Sequence, residues 1–256
     1  MIPPNPPATP PPARGLLLGT GVLVTAAAGS GIGSATAQRC LAEGARVVIA
    51  DKHERRLRET AEELGVIGIV ADVTDESSVQ AMFDGAAEAL GGIDVVVNNA
   101  GLGGTAEVHE MTDAQWLLVL DVTLTGTFRV TRAALAHMYP RGTGVIVNNA
   151  SVLGWRAQAG QAHYAAAKAG VMAFTRCTAI EAAPRGVRIN AVAPSLAMHT
   201  NLAKVTSPEL LAELTSREAF GRAAEPWEIA NVIVFLASQY SSYMTGEVVS
   251  VSSQHP

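Results

Sequence analysis

Cysteine, aromatic residues and charge are all scarce in this chain. Cys40 and Cys177, the two cysteines among 256 residues, show neither CxxC spacing nor a nearby histidine pair. That argues against a disulfide framework and against a metal site, so both read as small core residues. Charged residues make up 16% of the chain and the net charge is −5, which leaves no basic stripe for a nucleic acid. The nearest approach, Lys52-His53-Glu54-Arg55-Arg56, contains an acid and reads as the start of a solvated helix. No apolar run reaches membrane-spanning length, and the N-terminus lacks the positive segment and apolar core of a secretory signal. These absences predict a cytoplasmic protein with neither a membrane nor a nucleic-acid partner.

What is abundant is apolar surface, at 48% of residues, ample for a buried core. Proline is concentrated at one end: residues 1–12 hold seven of the thirteen prolines, a composition that makes neither helix nor central strand. Residues 1–15 are therefore predicted to be a disordered tail, and residues 16–256 a single domain.

Short β-branched runs alternate with helical patterns from residue 20 onward. Val22–Thr25, Arg46–Ala50, Val66–Val70, Ile93–Val97, Gly144–Asn148, Val187–Ala191 and Glu247–Val251 are apolar on both faces where longest. Strands of that kind lie inside a parallel sheet covered by helices. Because parallel neighbours need a crossover, about seven of them separated by helices predict one α/β, doubly wound, Rossmann-type domain.

The first predicted strand runs into Ala26-Ala27-Ala28-Gly29-Ser30-Gly31-Ile32-Gly33 and then a helix from about Ser34 to Glu43. Glycines at such a junction let the backbone approach a pyrophosphate, while free N–H groups and the positive end of the helix hold its charge. Asp51, at the end of the second strand, would accept both ribose hydroxyls of an adenosine and repel a 2′-phosphate. Together these features favour NAD. Asp51 as a mere helix cap is the plainer alternative, and Lys52, Arg55 and Arg56 nearby leave NADP open.

Tyr164 and Lys168 stand four apart on a predicted helix, with Ser151 thirteen residues before the tyrosine. Residues at i and i+4 share a helix face, so the ammonium is placed to lower the phenol's pKa from about 10 toward working pH. Reducing a ketone by hydride transfer builds negative charge on its oxygen, which needs a hydrogen-bond donor in place and then a proton. Ser151 would position that oxygen, Tyr164 would protonate it, and Lys168 would hold the nicotinamide ribose and tune the tyrosine. The structural alternatives are a strand-end cap for Ser151, a half-buried amphipath for Tyr164 and a snorkelling surface lysine for Lys168.

From Val22 to about Val251 the chain resembles a classical short-chain dehydrogenase/reductase. The motifs that carry the resemblance are the glycine loop, Asp72-Val73, Asn98-Asn99-Ala100-Gly101, Ser151, Tyr164-x-x-x-Lys168 and Ala193-Pro194. The resemblance implies that Asp72 and Val73 line the adenine, and that Asn98, Asn99, Ala100, Gly101, Pro194 and Ser195 flank an NAD(P) cofactor. It also implies that Ser151, Tyr164 and Lys168 carry the chemistry of an alcohol/ketone oxidoreductase, and that the protein is a homo-oligomer, a tetramer paired through the helices at 117–138 and 161–181.

Several positions depart from the family pattern. Thr123 stands where the family usually has an asparagine thought to hold a relay water, so its hydroxyl is assigned to that relay, with packing as the alternative. The glycine loop has one extra residue and an alanine where its first glycine would fall. Ser195 replaces a glycine, and Thr200 sits one place later than the threonine that usually meets the nicotinamide amide. The end reads Val251-Ser252-Ser253-Gln254-His255-Pro256 where relatives often carry Asp-Gly-Gly, and this end together with Thr123 raises a cofactor-binding regulator without turnover as a second reading.

In detail, Val24–Gly29, His53–Leu57 and Ala193–Met198 resemble an actinobacterial branch linked to steroid-ring breakdown, and 3-oxoacyl thioester reductases are similar in overall pattern. The small-molecule substrate implied is an alicyclic or hydroxyacyl/3-oxoacyl thioester. Residues 196–222 are predicted to form a lid over it. Trp155, Gln161, His163 and Met198 are candidate wall residues, with core packing the alternative for Trp155 and Met198 and an exposed helix surface for His163.

Overall fold

The protein, seen here as a computed structural model, is described over residues 5–198 and 208–253. The strands are β1 (Gly21–Thr25), β2 (Arg46–Asp51), β3 (Ile67–Val70), β4 (Val95–Asn98), β5 (Gly144–Asn149), β6 (Val187–Pro194) and β7 (Val248–Val251). All pair in parallel, in the order β3-β2-β1-β4-β5-β6-β7. The order reverses between β1 and β4, which opens a crevice at the carboxyl ends of the strands.

Helices cover both faces, and the period-2 alternation of each strand decides which side chain goes where. Val22, Val24, Val47, Ile49, Val97 and Val147 pack on α1 (Ile32–Ala42), α2 (Glu54–Leu64) and α8 (Pro226–Ala237), through Ala37, Leu57, Ile229 and Ile233. Leu23, Val48, Val96 and Ile146 face α3 (Glu76–Leu90), α5 (Gly126–Met138) and α6 (Ala162–Ala182), through Val79, Phe83, Val130, Met138 and Ala179. The remaining helices are α4 (Asp113–Leu120) and α7 (Pro208–Ser216).

Helix boundaries follow local chemistry. The Asp75 carboxylate accepts from the Ser77 and Ser78 N–H groups at the start of α3, and Gly91 ends that helix at φ 65°. Thr112 and Gln115 form a reciprocal capping box on α4. Between α4 and α5, Asp121–Thr125 make one turn of π-helix, a wider turn that often marks functional sites.

Two sequence expectations fail for positional reasons. β3 is an edge strand with Ile67 54% and Val70 53% exposed, so its apolar run is not buried on both faces. Cys177 lies on an exposed face of α6, whereas Cys40 is core and its thiol is pushed up to about 12 by burial. Residues 5–15 carry no regular structure and run along the surface. Their backbone is tied to the body where Arg222 donates to the Asn5 carbonyl at 2.8 Å, Arg39 donates to the Pro11 carbonyl at 2.6 Å, and the Arg14 N–H donates to Glu43 at 2.9 Å.

Candidate active site

Every strand is parallel, so residues that follow their carboxyl ends share one edge of the sheet: Ala26, Asp51, Asp72, Asn99, Ser151 and Ser195. The grooves along α2 and β3, the larger about 460 Å³ and lined by Leu57, Ala61 and Val70 among others, include none of these six residues.

The glycine loop closes on itself by hydrogen bonds. Ala26 sits at φ 50°, a left-handed conformation that explains why a glycine is usual there. A Cβ on Gly33 would stand 2.5 Å from the Ala26 carbonyl and 2.6 Å from Asn99 Nδ2, so only glycine fits. A Cβ on Gly29 or Gly31, in contrast, would meet nothing within 4 Å. Gly31 precedes α1, and no side chain caps that helix end, so its first-turn N–H groups lack an intrahelical or capping partner, an arrangement that suits an anion. The Gly29 N–H donates to Thr60 Oγ1 on α2 at 2.9 Å, which holds the loop's shape. This open, positively polarised cradle fits the diphosphate of a dinucleotide.

Asp51 accepts from the Ala28 N–H at 3.2 Å through Oδ2 and from the His53 N–H at 2.9 Å through Oδ1. Its carboxylate is thereby fixed beside the loop; the bond to His53 lies just before α2, whose first turn no side chain caps, so Asp51 does not serve as the helix cap weighed from the sequence. Asp72 accepts from the Thr74 N–H and hydroxyl; burial pushes its carboxyl up, but these bonds outweigh it and the group lies below its ordinary range. Val73 is buried against Gly126, where a Cβ would come within 2.7 Å of its methyl.

Asn98 and Asn99 point in different directions. Asn98 is buried, donating to Thr131 Oγ1 and Asn148 Oδ1, both at 3.0 Å, so its side chain braces the sheet and does not flank a cofactor. Asn99 Nδ2 donates to the Ala26 carbonyl at 3.0 Å, and Thr25 Oγ1 accepts from the Asn99 and Ala100 N–H groups. Thr25 and Thr60, which shape the loop, carry no sequence signal beyond being threonines near it.

Ser151, Tyr164 and Lys168 come together. Ser151 Oγ accepts from the Leu153 N–H at 3.2 Å at the head of a short 3-10 turn, and the serine lies near enough to Tyr164 to lower the pKa of its phenol. Lys168 is buried; its Nζ donates to the Asn149 carbonyl and lies 5.6 Å from the Tyr164 ring centroid. A Cβ on Gly101 would stand 3.2 Å from that Nζ, a tight contact that would make the lysine tip shift slightly. The snorkelling alternative is therefore ruled out for Lys168.

The electrostatics correct one expectation. Burial pushes the Tyr164 phenol up to about 12, against the lowering effect of the nearby Ser151 side chain, and burial brings the Lys168 ammonium down to about 7. In the cofactor-free chain the lysine does not draw the phenol toward working pH, because its own charge is disfavoured in the same dry site.

Thr123 is fully buried in the π-turn, and its hydroxyl is engaged twice by one residue: Oγ1 accepts from the Leu102 N–H at 3.0 Å and donates to the Leu102 carbonyl at 3.2 Å. The hydroxyl staples the strand-end loop instead of standing ready for a water. His163 is also buried, 2% exposed, with Nε2 at 3.1 Å from where a Gly104 Cβ would stand, which corrects its reading as a helix-surface residue. Trp155 is 44% exposed and so is not core. Pro194 ends β6, and the Ser195 N–H donates to the Val251 carbonyl at 3.2 Å. Of the segment predicted as a lid, Leu196 and Met198 exchange backbone hydrogen bonds with Ala224. Thr200 lies outside the described residues.

The family profile described as enoyl-(acyl carrier protein) reductase matches residues 26–253. A Mycobacterium tuberculosis protein named (5R,7aS)-5-hydroxy-7a-methyl-1-oxo-2,3,5,6,7,7a-hexahydro-1H-indene-carboxyl-CoA reductase is 64% identical over 95% of both chains. A cis-4-hydroxycyclohexanecarboxylate dehydrogenase of Sinomonas cyclohexanicum is 41% identical over 90% of this chain and 94% of its own. The crystal structure of a short chain dehydrogenase from Mycobacterium smegmatis superposes with a TM-score of 0.87 at 57% identity, covering 97% of this chain and 98% of the other. This chain belongs to the short-chain dehydrogenase/reductase family. Membership makes it an oxidoreductase that uses NAD(P) and acts on CH–OH groups, and the regulator reading has nothing to support it. No helix among the described residues is long and apolar enough to cross a membrane.

Proposed function

We propose that the protein moves a hydride between NAD and a ring ketone or secondary alcohol on an alicyclic skeleton that also bears a carboxyl-CoA thioester. The observation that carries the substrate class is the 64% identity, over 95% of both chains, to the indene-carboxyl-CoA reductase. The cyclohexanecarboxylate dehydrogenase shares the same elements in its name, a ring hydroxyl and a ring carboxyl.

Bound across the strand ends, a nicotinamide dinucleotide supplies the hydride donor or acceptor. The chain's own residues do the rest. Ser151 orients the carbonyl oxygen through its hydroxyl, and Tyr164 delivers the proton that balances the hydride, or removes it in the oxidative direction. Lys168, anchored on the Asn149 carbonyl, provides a titratable ammonium next to the phenol. NAD rather than NADP is supported by the Asp51 carboxylate held beside the loop; of Lys52, Arg55 and Arg56, Arg55 is paired with Glu59 on the helix surface.

A homo-oligomer, a tetramer by family pattern, is supported by the exposed apolar side chains of α4 and α5: Leu117 61%, Leu118 52% and Phe128 39%. Light scattering reads it directly. A cytosolic location fits the pools of NAD and CoA thioesters on which this activity depends.

The decisive experiment is a panel of ring ketones offered as CoA thioesters and as free acids, with an enoyl thioester beside them, each with NADH and NADPH. The reading requires kcat/KM for a ring-ketone thioester with NADH at least tenfold above the free acid. Turnover of the enoyl thioester alone, or of none, overturns it.

A further inference from the structure

Asn149 closes β5 and bears the carbonyl on which Lys168 rests. Its side chain begins a line of amides beneath the strand ends: Asn149 Nδ2 donates to Asn99 Oδ1 at 2.8 Å, and Asn99 Nδ2 donates to the Ala26 carbonyl at 3.0 Å. The direction of this line is dictated by its far end. A backbone carbonyl only accepts, so Asn99 must turn its NH2 to Ala26 and its oxygen to Asn149. Asn149 must then turn its NH2 to Asn99. Its own oxygen, Oδ1, is left over: buried, and without a hydrogen-bond partner among the described residues.

Buried amide acceptors are paired in the great majority of native proteins, and flipping this one would set oxygen against oxygen at Asn99. No described residue supplies the missing donor, and the atom lies at the strand ends, where a dinucleotide would run. Asn149 sits beside Lys168 on β5, whereas Asp51 and Asp72 lie at β2 and β3, two and three strands beyond β4 in the sheet order. A dinucleotide spanning these ends with its adenosine at Asp51 brings its other half to Asn149.

We infer that Asn149 Oδ1 is a cofactor contact that accepts a hydrogen bond from the nicotinamide riboside half, through a ribose hydroxyl or the carboxamide N–H. The inference rests on the dinucleotide lying across the strand ends. It makes Asn149 a binding residue, and it gives the same residue two duties, steadying Lys168 through its backbone and receiving the cofactor through its side chain.

The test is calorimetric titration of the wild type, Asn149→Leu and Asn149→Ala with NADH, ADP-ribose and AMP, with thermal midpoints to verify folding. The alanine variant leaves room for a water to satisfy Asn99 Oδ1, and binding is read on whichever variant keeps the wild-type thermal midpoint. The Kd for NADH should rise about tenfold in such a variant while that for AMP is unchanged. A parallel loss for ADP-ribose assigns the donor to the ribose hydroxyl, and an unchanged ADP-ribose assigns it to the carboxamide. NADH binding equal to wild type overturns the inference, and so does equal weakening of AMP, which would mean that Asn149 acts only through Asn99 on the glycine loop. Failure of the wild type to bind NADH at all would instead refute the placement of the dinucleotide.

Discussion

The Thr123 hydroxyl and the backbone of Leu102 satisfy each other: Oγ1 accepts from the Leu102 N–H at 3.0 Å and donates to its carbonyl at 3.2 Å. The pairing clamps the loop that follows β4 to the π-turn that begins at Asp121, directly beside Gly101 and Lys168.

Thr123→Val removes both bonds and keeps the shape, leaving the part-buried N–H and carbonyl of Leu102 without these partners. The expected cost is about 1–3 kcal/mol of stability, with a fall in kcat because Gly101 loses its fixed position against Lys168. Thr123→Ser should restore both. Denaturant melts and single-turnover rates on the two variants check this. A valine variant as stable as wild type but slow would return the hydroxyl to the proton relay.

Lys168 makes stability depend on pH in a definite direction. Its pKa is lowered to about 7 in the folded chain, so between about 7 and 10.5 the unfolded chain holds more protons than the folded one. Stability from this group therefore rises with pH across that window, and is lowest where the buried amine must be charged. Cys40, raised to about 12, acts oppositely above about 9, so the net rise is confined to roughly pH 7–9. Comparing thermal midpoints of cofactor-free wild type and Lys168→Met cancels the Cys40 effect. The difference between the two should change steadily from pH 7 to 10, and a flat difference would refute the buried-amine assignment.

Gly31 and Gly33 should respond differently to the same substitution. Gly31→Ala meets nothing within 4 Å, so the fold should melt as wild type while NADH binding weakens, because the methyl enters the cradle. Gly33→Ala drives a Cβ to 2.5 Å from the Ala26 carbonyl and should lower the midpoint as well as the affinity. Equal NADH affinity for Gly31→Ala and wild type would place the diphosphate elsewhere.

Ala26→Gly should stabilise the protein. The left-handed backbone at φ 50° disfavours a Cβ by about 1–2 kcal/mol, partly offset by the greater freedom of glycine in the unfolded chain. A higher urea midpoint at unchanged slope is the expected result; a lower one would mean that the alanine conformation is not strained.

Asp51→Ser should raise the Kd for NADH by about tenfold and narrow its margin over NADPH, since a charged acceptor and a repulsive charge disappear together. Paired titrations with the two cofactors read this directly. A wild type preferring NADPH tenfold would show that Lys52 and Arg56 dominate Asp51.

Much of this was legible in the amino-acid order because it is local. Short β-branched runs, apolar on both faces where longest, form strands, and about seven of them separated by helices point to a parallel, doubly wound sheet. The spacing of Tyr164 and Lys168 places both on one side of α6, and the helix that starts after Gly31 has first-turn N–H groups with no partner inside the helix.

The remainder depended on contacts between residues far apart in the chain. β3 has the composition of an interior strand, and only the sheet order makes it an edge. His163 looks exposed on a helix of small residues until the loop at Gly104 is laid over it. Thr123 meets Leu102 across 21 residues, and Asn149 meets Asn99 across 50. The amine of Lys168 titrates low because desolvation is set by everything packed around it, a sum over distant neighbours that no short window of sequence contains.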